Sequence, residues 1–470
     1  MKLISSIKSF ILPVAAITIA MMAKAASPEE AKILAEDGDT DGAIAMLQQL
    51  ETEQPKNADI SKQLGDLYLA SGKDSLAINA YNEAHRKGSR EALLSLAELA
   101  NLQYRVDDAR EFVEEYRKTL KKGKRTIHPD ESGDIDDRID RTETMLERVE
   151  QIEVIDSLVV DAESFFSHYQ LSPESGSLNP TSDLPENFTA AEPSVVYEPE
   201  SRRQMIWAMP DSLGTFKLYS TSQLYGDDWE KPTPLGDDLG EGGDANYPFL
   251  MPDGITLYYA NDGVNSLGGL DIFISRRNED GFLQPQNLGM PYNSPYNDYM
   301  LAIDELTGVG WWATDRNRIP GKVTIYVFIP QELRRNVDLE NPGLASLARL
   351  DKISDTWHPE TDRNAIIERI VAAGQETNKR QHQFDISIPG RGTYTNYDDF
   401  RTPQARAAMQ KFMESENKVN ETENALNAMR LKYAKGDKSL SESILNAEKQ
   451  LAEMKQNLVT LRNDVITLER

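Results

Sequence analysis

The sequence predicts a multidomain α + β chain: a helical repeat region, then repeated antiparallel strands, then two long paired helices. Three observations carry that expectation. Apolar and small residues recur with a period of about 34 near the start of the chain. A second repeat, about 53 residues long and built of short alternating strands, fills the middle. From Leu440 to Leu468 apolar residues follow steps of four and three without a break.

At 470 residues the chain exceeds the ~250–300 at which one core stops growing. A hydrophobic content of 39% is enough to fill real cores. The net charge of −26 disfavours nucleic acid and an anionic membrane surface, since both need concentrated Lys and Arg. The chain has no cysteine, which excludes thiol catalysis, thiolate metal sites, disulfides and a lipobox anchor. Apolar packing must therefore hold each domain.

Residues 1–25 read as a secretory signal. Lys2 and Lys8 give a positive start, residues 10–22 an apolar run, and Ala23-Lys24-Ala25 small residues for cleavage after Ala25. The run is shorter than the ~20 residues a span needs, so the mature chain is expected to have no transmembrane segment.

Residues 26–150 form the helical region. Its clearest copy holds Leu64, Gly65, Tyr68, Ala77, Tyr81 and Ala84. Gly65, Ala77 and Ala84 let two helices approach, while Leu64, Tyr68 and Tyr81 fill the space between them. Ala43, Ala77 and Ala109 are 34 and 32 apart, giving three copies, with a capping helix expected over residues 135–149 after a basic stretch at 121–133. This pattern resembles the tetratricopeptide repeat. The resemblance implies a groove that holds a peptide or helix; a spacer with no ligand is the other reading.

Residues 151–193 read as a connector and 194–330 as the strand repeat. Ile206-Trp207-Ala208, Tyr258-Tyr259-Ala260 and Trp311-Trp312-Ala313 match, and Asp211, Asp262 and Asp315 follow them. The turn Pro252-Asp253-Gly254 before Tyr259 resembles the TolB-like (WD-like) blade motif of β-propellers. Pro199-Glu200-Ser201 stands at the turn of the first copy, and Asp304-Glu305 precedes Gly308 in the third. Three blades do not close a ring, so either the stack stays open or strands at 154–160 and 384–388 complete a small propeller. The aromatic pairs are core residues or, in part, a platform for a sugar. The acidic loop Asp237, Asp238, Glu241 and Asp244 is a solvated loop or a calcium site, without EF-hand spacing.

No Gly-x-Ser-x-Gly elbow, zinc histidine pair or phosphate loop occurs. The five histidines (His85, His128, His168, His358 and His382) are scattered. No carboxylate pair is singled out. The chain is expected to be non-catalytic, with no cofactor and no metal.

After a mixed connector (331–402), residues 403–470 form the helical pair. The second helix carries Ile444, Ala447, Leu451, Met454, Leu458, Leu461 and Val465, and the first Phe412, Val419, Leu426 and Met429. Ser439 and Glu442 form a capping box after a turn at 435–438. The short turn predicts an antiparallel coiled-coil hairpin. Ser415 and Thr422 interrupt the first seam, so self-association through a third or fourth helix stands beside simple intramolecular pairing.

Repeats of this kind followed by TolB-like blades resemble a group of exported Bacteroidota proteins, some ending in an OmpA-like peptidoglycan-binding domain. The resemblance covers residues 28–330, and this chain has the helical hairpin where those relatives have that domain. It implies a periplasmic, outer-membrane-associated adaptor that binds envelope proteins, with the blades as a platform between repeats and hairpin. The competing reading is a glycan- or peptide-binding protein that uses the propeller face.

Overall fold

The computed structural model describes residues 27–469, apart from 186, 225–228, 237–238, 240–241, 280, 332, 382–383, 385, 390, 395 and 435–437. The signal segment, Asp237, Asp238 and Glu241 of the acidic loop, His382 and the turn at 435–437 lie outside the described residues. The chain divides into two compact units, Met1–Glu143 and Thr144–Arg470.

The first unit is helical: α1 (Pro28–Glu36), α2 (Thr40–Glu53), α3 (Ala58–Ala70), α4 (Asp74–Arg86), α5 (Glu91–Leu102), α6 (Val106–Thr119) and the start of α7 (Gly133–Leu146). Side chains of Ser27, Asp39 and Asn57 accept backbone N–H groups at the starts of α1, α2 and α3. Gly38 and Gly72 end α1 and α3 at φ of +91° and +70°, the left-handed stop that glycine adopts without a Cβ clash. Tyr104 takes the same place after α5 at φ +59°, so the third copy keeps the geometry without the glycine. The basic stretch folds as a short hairpin, β1 (Lys121–Lys122) and β2 (Arg125–Thr126). Ile135 and Ile139 of α7 then pack on Ala97, Ala100, Ala109 and Val113.

The second unit begins with β3 (Glu153–Asp161), β4 (Ser177–Asn179), β5 (Val196–Glu198), β6 (Gln204–Pro210), β7 (Phe216–Ser222) and β8 (Thr233–Pro234). It continues through β9 (Ala245–Leu250), β10 (Thr256–Asn261), β11 (Asp271–Asn278), β12 (Gly281–Phe282), β13 (Gln286–Asn287), β14 (Asp298–Asp304), β15 (Val309–Thr314) and β16 (Lys322–Ile329). These strands make three antiparallel sheets, ordered β4-β5-β6-β7-β8, β9-β10-β11-β12 with β13 on β11, and β14-β15-β16-β3. The stretch read as a connector thus supplies strands to two sheets. Of the two flanking stretches expected to add strands, 154–160 does so as β3, while 386–388 pairs within a separate hairpin.

The repeat is visible in the register. Trp207 faces Tyr219, Tyr259 faces Phe273 and Trp312 faces Tyr326 on successive strands. Tyr247 and Met300, 53 apart, both sit at positive φ at the inner strands. One apolar core runs through all three sheets. The segment between β3 and β4 wedges into it: the Phe165 ring contacts Tyr247 and Tyr299, and the Tyr169 hydroxyl donates to the Met300 carbonyl at 2.8 Å. Ser172 bonds Asp304 of the third sheet, and the Tyr197 hydroxyl of the first sheet donates to the Ser175 carbonyl.

The chain then forms α8 (Leu344–Arg349), α9 (Arg363–Gln381), the hairpin β17 (Ile386–Ile388) and β18 (Gly392–Tyr394), α10 (Pro403–Ala434) and α11 (Ser441–Glu469). Ile370 of α9 joins the shared core. α11 starts after a 3-10 turn at Lys438–Leu440, two residues beyond the expected Ser439 cap. The two long helices run antiparallel, because Glu423 meets Lys455 and Arg430 meets Glu448. Among the described residues, no helix is long and apolar enough to cross a membrane.

Candidate protein-interaction surface

The helical repeat is built around one close approach. A Cβ added at Gly65 would lie 2.4 Å from a ring carbon of Tyr81, so the bare Gly65 backbone is what lets α4 lie against α3. Leu64 turns to the other side, into a cluster with Ala43, Leu47 and Ile60. Tyr68 packs against both this cluster and the one containing Ala77, Tyr81 and Ala84, and its hydroxyl accepts from Gln48. The six residues singled out in the sequence thus fall in two adjoining clusters, with Tyr68 against both and Gly65 under the Tyr81 ring.

A polar network locks the same three helices at their other edge. Lys87 Nζ donates to Glu51 at 2.9 Å and to Ser61 Oγ at 2.8 Å, and Ser61 donates to Glu51. Burial alone would raise the Glu51 carboxyl, but the Ser61 and Lys87 hydrogen bonds and the Lys87 charge hold it below its ordinary value. This trio was not legible in the sequence, because Glu51 lies in α2, Ser61 in α3 and Lys87 just past the end of α4, and none holds a repeat position.

What α3 and α5 leave open is a stripe. Asp59, Lys62, Asp66 and Leu69 follow steps of three and four on α3, and Glu91, Leu94, Glu98 and Leu102 do so on α5; all are at least partly exposed. Tyr81 links the two rows: its hydroxyl donates to Asp66 at 3.0 Å. Burial first, then the Asp66 and Glu98 carboxylates, push that phenol far above its ordinary value, so it stays a neutral donor. Lys62 pairs with Asp66 and Arg138 with Glu98, while Asp59, Glu91 and the leucines Leu69, Leu94 and Leu102 complete a mostly acidic, partly apolar surface that suits a basic amphipathic segment.

Residues 34–87 match the tetratricopeptide repeat family. The match runs from the last turn of α1 through α4 and holds the Gly65–Tyr81 contact. No curated protein matches the chain. A tetratricopeptide region of this kind is the mark of a protein–protein interaction scaffold.

The other residues marked in the sequence are structural in their contacts. Pro252-Asp253-Gly254 forms a tight turn: Gly254 N donates to Met251 O, and the Asp253 carboxylate accepts from Ile255 N, Thr256 N and Thr256 Oγ1. Trp207, Tyr259, Trp311 and Trp312 are all buried, and Tyr258 is half-buried between two core clusters. These aromatics therefore pack between strands and offer no shared platform for a sugar. Of the acidic loop, Asp244 is described, and its carboxylate accepts from Phe216 N. Leu451 packs with Val419 and Leu426, with Met454 and Leu458 alongside, and Leu461 lies half-buried further along the same helix.

Proposed function

We propose that the protein is a non-catalytic scaffold whose tetratricopeptide region grips a basic amphipathic segment of a partner along the α3/α5 stripe. The observation that carries this is the family match over 34–87, seen together with a stripe of four carboxylates and three leucines interrupted by Lys62. The three sheets serve as blades of a small open propeller and the α10/α11 pair as a second docking element. The basic and apolar N-terminal residues direct export, and the partners are envelope proteins met in the periplasm or at the outer membrane.

In-cell crosslinking of the tagged protein followed by mass spectrometry tests the reading, comparing the full chain, an Asp59→Lys/Glu98→Lys variant and a chain ending at Thr402. Reproducible envelope partners lost in the double variant, with helicity retained, support the stripe. Partners lost only on truncation move the docking role to the helix pair. No protein partner in any form overturns the scaffold reading, and recovery of the protein in the cytosolic fraction overturns the envelope assignment.

A further inference from the structure

A cavity of about 410 Å³ opens in the second unit, where the chain entering β3 meets the chain beyond β16. Its lining joins apolar Ile152, Pro291 and Leu347 to the indole of Trp357 and to Glu150, Asp338 and Asp355, and it contains no Lys or Arg. Neither the repeats nor the blade motif involves this place.

Glu150 is the informative residue. It is 9% exposed, yet its carboxylate has only long contacts: the Tyr292 hydroxyl at 3.4 Å and Arg334 Nε at 3.6 Å. The Arg334 guanidinium is committed elsewhere, donating to the Leu288 carbonyl at 3.0 Å and the Arg148 carbonyl at 2.7 Å. A buried carboxylate whose ion pair is long and shared is costly, and burial raises its proton affinity by more than the Arg334 charge and the Tyr292 hydroxyl lower it. Trp357 supplies the second observation. Its indole N–H is fixed on the Val154 carbonyl at 2.8 Å, and the Arg363 guanidinium lies 4.1 Å from the ring centre. The ring is held in place and already accepts a cation of this chain.

We propose that the cavity binds the organic cation at the tip of a basic side chain, a guanidinium or primary ammonium. Glu150 is its counter-ion, Asp338 and Asp355 draw it in, and Trp357 packs on its carbon stem. The cation comes either from a partner's arginine or lysine or from a free amine, and the two sources separate in the test.

Calorimetry on the full chain, with tryptophan fluorescence of the chain and of its Trp357→Phe variant in parallel, is run with N-acetyl-arginine amide, a blocked Gly-Arg-Gly peptide, agmatine and the neutral isostere N-acetyl-citrulline amide. The expected result is saturable binding of the cations, roughly tenfold or more above citrulline, and a comparable loss in Glu150→Gln. Should Glu150→Gln fail to fold, Asp338→Asn/Asp355→Asn removes charge from exposed positions and weakens binding in the same direction. Tighter binding of the peptide than of agmatine assigns a protein side chain as the source, and the reverse assigns a free amine. Absence of saturable binding up to about 10 mM, or citrulline binding as well as arginine, overturns the proposal.

Discussion

Gly65 shows how far one hydrogen atom reaches in this molecule. Placing a methyl group 2.4 Å from the Tyr81 ring forces α3 and α4 apart, because Tyr81 is 1% exposed and has nowhere to turn. Gly65→Ala is expected to cost about 1–3 kcal/mol, seen as faster hydrogen exchange across α3 and α4 with β9 unchanged. Arg202 presents the opposite case. It occupies the left-handed slot of the first-sheet turn at φ +53°, where Gly254 sits at +68° in the second. Arg202→Gly should therefore stabilise the sheet unit by about 0.5–1 kcal/mol, while Gly254→Ala destabilises it. All five tryptophans lie in that unit, so urea unfolding followed by tryptophan fluorescence reads it alone. The same measurement tests Asp271, which burial pushes up to about 8 although Leu267 N and Asn287 donate to it. An acid whose folded value is raised stabilises the fold fully below its unfolded value near ~4 and loses that contribution as pH rises through its folded value. Asp271→Asn should gain about 1–2 kcal/mol over wild type at pH 8 and nothing at pH 4; an equal difference at both pH values removes the charge as cause.

Elements were legible where a period wrote them. The steps of three and four placed α10 and α11, and the seam residues Val419, Leu426 and Leu451 meet. The 53-residue repeat marked Trp207, Tyr259 and Trp312, which stand at matching places on β6, β10 and β15, since a strand period and a turn are local properties; the aromatics that face them came only with the register. What the sequence hid was non-local. The Phe165–Ser175 wedge carries no period, because its residues answer to three different sheets rather than to each other. The Glu150 cavity was hidden for the same reason, its lining being gathered from segments about 200 residues apart. At this scale the helix pair makes a direct prediction. Because the chain has no cysteine, Arg430→Cys/Glu448→Cys introduces a single thiol pair at a 2.7 Å ion pair. A bis-maleimide, whose spacer replaces the reach of the two lost side chains, should link the thiols within one chain, read as a monomer-mass band that migrates faster than the untreated variant. Crosslinked dimers alone would mean that α11 pairs with α10 of a second copy.

At the scale of the whole sheet unit, two descriptions compete. Repeats that touch only their neighbours unfold piecemeal, each sheet at its own free energy. A single core shared by all sheets unfolds in one step. The second description follows from the packing. Tyr247, Tyr299 and Phe165 meet in the middle, and the core that contains them draws Ile206, Tyr259, Trp311 and Ile325 from the three sheets. β3 adds a tie, because the first strand of the unit pairs with β16, the last of the repeat, across some 160 residues of chain. Ile155 of β3 lies in the shared core and is 4% exposed. Ile155→Asp buries a charge with no partner, a cost of several kcal/mol. If the core is one cooperative body, hydrogen exchange in β6, β10 and β15 should accelerate together and by a similar factor. Acceleration confined to β14, β15 and β16 would show instead that the third sheet opens alone. The wedge would then be a seam along which the sheets separate, rather than the piece that joins them.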